Sequence, residues 1–527
     1  MSRLLRAFGP PLIEPRGPDG RRIAPPGPPP LTGRVLLGLI GATLAGVMSL
    51  LGTRLTTFGV ADLRGAAGVD LNLAGWITAA YNVGSIAIVP ATPWLASIFS
   101  GRRVIAACVA LLTVAALAFS TTPPYPVLVA LRFLQGLGSG ALLPLLLMSV
   151  LTLTPLTQRI WGIAVYAAIT TLSPTVAESI AGWFTEYLSW KVIFWQNALV
   201  APVAIFLVLV GLPLTPVQLS VARGTDYFAL VFSIVGLGAL TAALTQGQVY
   251  DWFDSGVIDG LFVIAAICLA AFVVNEMTCP DPLIDLSLFR QINFTLGLCV
   301  LLAFNFALLG AYYVLPQFAI AVKGWRELQI GEVLIWLALP QILLTPLSCF
   351  LTRYIDARIL LACGLFTFAI GAYLSTYIQS DWAIYDLLPS QLVQSCAFPF
   401  IMPPLVTITT STLTPAAARS GSALFNIVRT LAGTFGAAIA GAVITVRERV
   451  HSALILLNVH PGDVTAATAG SIAGRASSQA YVMAYADTFG MLGLIALACL
   501  VLVPFLRPTA IARPLPRAAT VPAEYVR

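Results

Sequence analysis

The sequence predicts an all-α polytopic membrane protein with fourteen transmembrane helices, and three observations predict it. Of 527 residues, 58% are hydrophobic and only 9% charged, with a mean hydropathy of +0.91, whereas a soluble domain carries about 25% charged residues. Fourteen apolar runs are long enough to cross a bilayer, which takes about 20 residues. The arginines fall in alternate connections. So few charges cannot cover a water-exposed surface of this size, which excludes soluble enzymes, nucleic-acid binders and disordered scaffolds.

Residues 1–33 read as a basic, disordered cytoplasmic tail, with Arg3, Arg6, Arg16, Arg21 and Arg22 among nine prolines from Pro10 to Pro30. The tail has no apolar core, so no cleavable signal peptide is expected in it. The first apolar run, from near Leu31, would itself direct insertion. Spans 1–8 are expected over residues 34–58, 73–98, 102–121, 125–150, 159–183, 190–212, 226–247 and 257–275. Spans 9–14 are expected over 294–321, 330–352, 358–378, 384–412, 420–446 and 482–506. The chain then divides into a six-helix bundle (34–213), two linker helices (214–289), a second six-helix bundle (290–507) and a tail (508–527). Arg102-Arg103 follow span 2, and Arg353 with Asp356-x-Arg358 follows span 10. These are equivalent positions in two six-helix halves, and such repeats are typical of transporters with a site near the membrane midplane. Apart from 447–481 the connections are short, and none is large enough to house an enzyme domain.

Placing both termini in the cytoplasm gives that side eighteen of the 28 Lys and Arg residues and the outer side eight, with Arg132 and Arg429 inside spans. The positive-inside rule favours this orientation. The eight cysteines are scattered without a C-x-x-C pair, which reads as small buried hydrophobes rather than a disulfide framework or metal site. His451 and His460 fall in or beside the 447–481 segment and read as solvated loop residues. Neither a metal nor a cofactor is expected.

Four segments carry a resemblance. Trp76-Ile77-Thr78-Ala79-Ala80-Tyr81 opens span 2, and Arg132-Phe133-Leu134-Gln135-Gly136-Leu137-Gly138-Ser139-Gly140 lies in span 4. Ser189-Trp190-Lys191-Val192-Ile193-Phe194 opens span 6, and Asn426-Ile427-Val428-Arg429 with Gly433 lies in span 13. Together they resemble the fourteen-helix drug:proton antiporters of the major facilitator superfamily, the EmrB/QacA type, across roughly residues 34–506. The resemblance implies two six-helix halves plus two extra central helices, a proton gradient as the energy source, an inner-membrane location and, by analogy, a periplasmic adaptor partner. The 447–481 segment is one candidate docking surface. The chain departs from the family pattern in three places. Ser97 stands where the span 2–3 loop usually has an acid, Glu178 replaces the second proline of the span 5 motif, and Leu51-Gly52-Thr53-Arg54 has a base where span 1 often has an Asp.

Charges inside a span are costly and usually functional. Helical rise puts Arg54, Arg132 and Glu178 at similar depth in the outer half, and an Arg54–Arg132–Glu178 cluster is expected. Opposed effects of burial and neighbouring charge can tune proton binding by such a carboxylate, so the cluster reads as a coupling site or as a static ion pair holding three helices. Two bases and one acid favour an anionic or neutral amphiphile over a lipophilic cation. Tyr81, Asn82, Gln135, Asn197, Asn305, Tyr312, Tyr313, Gln317, Gln341, Gln391 and Gln394 are candidate substrate contacts or interhelical hydrogen-bond formers. Arg102, Arg103, Asp356, Arg358, Asn426 and Arg429 are candidate gating residues. The sequence thus predicts a proton-driven secondary exporter of a small molecule. A proton-linked importer or facilitator, a non-transporting sensor and a polytopic membrane enzyme are the alternatives. No Walker-type motif for ATP drive is present.

Overall fold

The computed structural model describes residues 31–58, 65, 68–155, 158–220, 226–279, 282–414, 417–458 and 469–508. Fourteen membrane-crossing segments lie among them when each of two bent pairs is taken as one span. They are α1 (Gly33–Phe58), α2 (Leu71–Ala87 then Thr92–Phe99), α3 (Gly101–Phe119), α4 (Tyr125–Leu153), α5 (Arg159–Tyr187), α6 (Val192–Gly211) and α7 (Tyr227–Gln246). They continue as α8 (Gly256–Thr278), α9 (Ile292–Ala321), α10 (Glu327–Leu351), α11 (Ala357–Leu374), α12 (Ile384–Thr410), α13 (Ala418–Leu457) and α14 (Ala469–Leu500). The bends are 58° in α2 and 41° in α5. Both fall where the sequence has a proline, Pro90 and Pro174, a residue without an amide hydrogen to close the helical ladder.

Helices α1–α6 pack among themselves, as do α9–α14. The two groups meet mainly along α5 and α10, with lesser contacts of α5 with α12 and of α4 with α13. Helix α7 packs on α2 and on α8, while α8 presents most of its surface outward.

Lipid tails are as apolar as leucine side chains, so helices in a bilayer associate through close packing rather than by escaping water. The glycines of the Arg132–Gly140 motif supply that packing. A Cβ on Gly136 would lie 2.2 Å from the Tyr81 carbonyl oxygen, and one on Gly140 would lie 1.9 Å from that of Ser85, both on α2. One on Gly138 would lie 2.7 Å from the Cys108 oxygen on α3. In the second half, a Cβ on Gly436 of α13 would lie 2.2 Å from the Phe306 oxygen on α9.

One connection differs from expectation. Much of the 447–481 segment, read from the sequence as a loop, is helical: α13 runs 40 residues to Leu457, and α14 starts at Ala469. At 1.5 Å per residue α13 is about 60 Å long, roughly twice the hydrocarbon thickness. Arg, Glu, Ala and Leu are good helix formers, and the polar register that suggests a loop is that of a helix leaving the membrane. His451 is accordingly not a solvated loop residue. It is 7% exposed and lies 2.7 Å from Asp487 of α14, while His460 lies outside the described residues.

Gly140→Ala should lower the melting temperature of the purified protein, because overpacking a tight contact costs about 1–3 kcal/mol. Gly260→Ala should not, since a Cβ there meets nothing within 4 Å. A thermal unfolding series in one detergent checks the pair.

Candidate functional site

A cavity of about 320 Å3 lies between the two bundles, with walls from α1, α2, α4, α5, α7, α9 and α13. Its apolar surface comes from Leu50, Leu143, Leu244, Leu308 and Leu309. Its polar surface is almost uncharged: Ser49, Thr78, Asn82, Ser85, Thr170, Thr245, Gln248, Asn305, Tyr313, Asn426, Thr430 and Thr434. Arg429 is the one charged residue among the described lining residues, and no carboxylate joins it. Its Nε donates to Asn426 Oδ1 at 3.4 Å, and the same oxygen accepts from Tyr166 of α5 at 2.9 Å. Arg429 is therefore aimed by a contact that crosses between the bundles.

The sequence candidates divide among three settings. Asn82, Asn305 and Tyr313 line the cavity, as do Asn426 and Arg429. Tyr81, Gln135, Gln341, Gln391 and Gln394 are instead engaged within a bundle. The Tyr81 hydroxyl donates to the Ser49 oxygen at 3.2 Å, and Gln135 Nε2 to the Ala115 oxygen at 3.1 Å. Gln341 Nε2 donates to the Leu337 oxygen at 3.1 Å. Gln391 and Gln394 both donate to Ser375 Oγ, at 3.3 and 3.0 Å. Tyr312 bridges the bundles, its hydroxyl 3.4 Å from the Thr171 oxygen. Asn197 is buried on α6 and Gln317 half-buried on α9, both outside the cavity wall.

Of the three charges expected to cluster, the structure describes the side chains of Arg132 and Glu178 and does not pair them with each other. Arg132 is fully buried, with Nη1 donating to Gln135 Oε1 at 2.8 Å. Its guanidinium lies over the rings of Phe119 (4.5 Å), Phe194 (5.0 Å) and Tyr81 (5.7 Å). A cation on ring faces is held electrostatically without a carboxylate. Arg132 thus ties α4 to α2, α3 and α6 and forms no ion pair with Glu178 among the described residues. Glu178, 3% exposed, sits where α5 meets α10. There the neighbouring Ser179 Oγ donates to the Gly331 oxygen at 2.8 Å. The Arg54 side chain lies outside the described residues.

Helices α5 and α10 are joined at both ends. At one end Arg326 pairs with Glu186 at 3.3 Å; at the other Arg353 lies 5.2 Å from the Trp161 ring centre. Of the candidate gating residues, Asp356 and Arg358 form an ion pair at 2.7 Å. Asp356 Oδ1 also accepts from the Arg358 amide, capping α11, and Arg358 Nη1 donates to the Leu506 oxygen at 3.0 Å. Arg102 and Arg103 open α3 and pair with no acid among the described residues.

Sequence reasoning missed Asp487, which accepts from both Arg447 (2.6 Å) and His451 (2.7 Å). Its signal was available, since it is an acid inside the expected 482–506 span. It also missed buried Glu276 at the C-terminal end of α8, which lies one residue beyond the expected limit of span 8. Gln248 of the cavity wall follows α7 in a turn, and nothing in its sequence context marks it. Among the described residues no group of three or more His, Cys, Asp or Glu is placed to hold a metal ion.

The sequence model of the Major Facilitator Superfamily matches residues 42–437. The chain is 28% identical to the multidrug export protein EmrB of Haemophilus influenzae over 500 residues, covering 91% of this chain and 97% of the relative. It is 27% identical to the fatty acid resistance protein FarB of Neisseria gonorrhoeae, covering 83% and 86%. Among solved structures, the human organic anion transporter TETRAN aligns with a TM-score of 0.57 at 14% identity, covering 90% of this chain and all of that one. The proton:xylose symporter XylE aligns at 0.55 and 13%, covering 90% and 96%. At such identities the two structures speak to the fold alone.

Hydrogen bonding to Arg358 holds the Asp356 carboxyl below the usual carboxylate range. A group whose folded value is depressed contributes stability that is present above its unfolded value, near pH 4, and lost as pH falls through the folded value. The contribution should therefore persist down to about pH 4 and fade below it. Asp356→Ala, which removes cap and ion pair together, should cost about 1 kcal/mol. Asp356→Asn keeps a capping oxygen and should cost less. Melting curves of both variants across acid pH measure the difference.

Proposed function

We propose, because the chain belongs to the Major Facilitator Superfamily, that it is a secondary active transporter that exports a small amphipathic anionic or neutral compound. The export is proton-driven and works by alternating access. The cavity between the bundles carries this reading: its only described charge is Arg429, over walls that alternate leucines with uncharged polar groups. A monoanion with an apolar body satisfies both parts, with its acid group on the guanidinium and its body on Leu50, Leu143, Leu308 and Leu309. A lipophilic cation would meet Arg429 with no carboxylate to offset it. The relative named for fatty acid resistance fits such an amphipathic acid, and those named for multidrug export fit the export direction.

Each six-helix bundle moves as a unit in this reading, and exchange across the Tyr166–Asn426–Arg429 contact exposes the cavity to one side and then the other. Glu178 is the coupling carboxylate, because it is buried at the α5–α10 seam where relative motion of the bundles changes its surroundings. Arg132 is a positioning residue that fixes the shape of the first bundle. Both termini lie in the cytoplasm of an inner-membrane protein. The outer extensions of α13 and α14 form a helical hairpin, a more defined docking surface for a periplasmic adaptor than a loop would be.

Proteoliposomes loaded with an aromatic carboxylate test the reading. Wild type should expel it against its concentration gradient under an imposed proton gradient and stop when a protonophore is added. Losing one charge-assisted hydrogen bond costs about 1.5–3 kcal/mol, so Arg429→Gln should weaken carboxylate transport about 10- to 100-fold. A neutral amphiphile should be moved nearly as before. Glu178→Gln should abolish this uphill expulsion while leaving downhill exchange. Efflux of quaternary ammonium compounds with no acid transport would sink the proposal, and gradient-driven uptake in place of efflux would support the importer instead.

A further inference from the structure

The two lateral seams between the bundles are built differently. On one side α5 and α10 are in contact along their length, from the Arg353–Trp161 stack inside to the Arg326–Glu186 pair outside. On the other side the equivalent pair, α2 and α13, meets only sparsely, and the outer end of α7 lies between them. That end is fastened to α2. Trp76 Nε1 donates to the Tyr250 hydroxyl at 3.0 Å, with the rings edge to face at 6.3 Å. Gly75 leaves room for Gln246, whose Oε1 would be 2.8 Å from a Cβ there. Nearer the cytoplasm, Trp94 of α2 and Tyr227 of α7 pack edge to face at 6.3 Å.

Toward α13 the hydrogen bonding among the described residues runs through one side chain. Gln248 Nε2 donates to the Gly441 carbonyl oxygen at 3.1 Å and to Thr445 Oγ1 at 2.8 Å. Gly441 is the residue that permits it, since a Cβ there would lie 2.1 Å from Gln248 Oε1. The turn that presents Gln248 is strained. Asp251 and Trp252 have φ of 52° and 54°, a region costly for a bulky residue. Gln248, Thr245 and Leu244 also face the central cavity, so the same segment forms cavity wall and inter-bundle contact.

We propose that the outer end of α7 is a lateral gate of the central cavity. It rides with α2 and is latched to α13 through Gln248, and release of Gly441 and Thr445 opens the cavity between α2 and α13. The first linker helix is then a working wall of the transport path rather than a spacer between the halves. An amphiphile leaving through this seam passes from the cavity toward the outer part of the membrane, where its apolar body stays shielded. The inference rests on reading the central cavity as the transport site, but its test does not need transport.

Spin labels at Val249→Cys and Val446→Cys, exposed neighbours of the latch that leave Gln248 and Thr445 in place, in a protein whose native cysteines are replaced, are followed by pulsed distance measurement in liposomes at neutral and acid pH. The expected result is two distance populations whose ratio changes with pH. The pair Leu73→Cys and Phe253→Cys, which leaves Trp76 and Tyr250 in place, should give one unchanging distance, because α7 and α2 move together. In the transport assay, bridging 249 to 446 with a bifunctional thiol reagent should reduce efflux to the protein-free background and removal of the bridge should restore it. Bridging 73 to 253 should leave efflux intact. A single fixed 249–446 distance under all conditions overturns the gate even in a protein that exports well. Full efflux from the 249–446 bridged protein, or equal loss from the 73–253 bridge, overturns it too. An active gate in a protein that moves no carboxylate would count against the export reading alone.

Discussion

Backbone-to-backbone contact at glycine is the interaction on which the rest of this structure depends. Inside a bilayer there is no water for apolar side chains to escape, so a bundle of leucine-rich helices has little reason to choose one neighbour over another. Gly136, Gly138 and Gly140 make that choice for α4, setting α2 and α3 against it so closely that no Cβ fits. Once α2 and α4 are locked, Tyr81 is carried to the Arg132 guanidinium, with Phe119 and Phe194 completing the enclosure. The charged centre of the first bundle is thus a product of helix packing and does not cause it.

The enclosure also explains how a fully buried arginine is tolerated. A buried ion pair must repay the desolvation of two charges, whereas ring faces stabilise one cation with no second charge to desolvate. Arg429 shows the other solution. It keeps one edge on Asn426 and leaves the rest facing a cavity, where solvent or an anion can complete its coordination. Two arginines that look alike in the sequence, each in an apolar run, are therefore given different work by what surrounds them.

The class of the fold was legible because it rests on terms that add along the chain: run length, charge sorting and loop length. Span limits were legible where charged residues flank the runs. They were not at α13 and α14, where the helices continue beyond the membrane and hydropathy stops reporting on helicity. The site was legible by residue type and poorly by geometry. Arg132, Glu178 and Arg429 stood out as charges in apolar surroundings, but depth along a helix does not say which way a side chain faces. Arg132 and Glu178 were expected at one depth, yet Arg132 is held by Gln135 and three rings and does not pair with Glu178. Gln248 could not be found at all, because its importance comes from Gly441, nearly two hundred residues away, and from the turn that carries it.

The contrast between the two seams bears on how the halves can move. Two six-helix bundles related by a pseudo-two-fold axis would present matching seams, and α5–α10 is one of them. The matching pair, α2–α13, cannot close in the same way while α7 stands between them. Insertion of two helices has therefore removed the symmetry from the motion as well as from the sequence. A rotation of one bundle against the other must slide along the continuous α5–α10 contact and separate at the α7–α13 contact. Of the two, α7–α13 is a sparse contact whose described hydrogen bonds come from the one Gln248 amide, while α5–α10 is joined along its whole length. The seam with fewer ties yields first, so the opening falls beside the inserted helices, and the cavity residues on α7 are the ones that any molecule leaving that way must pass.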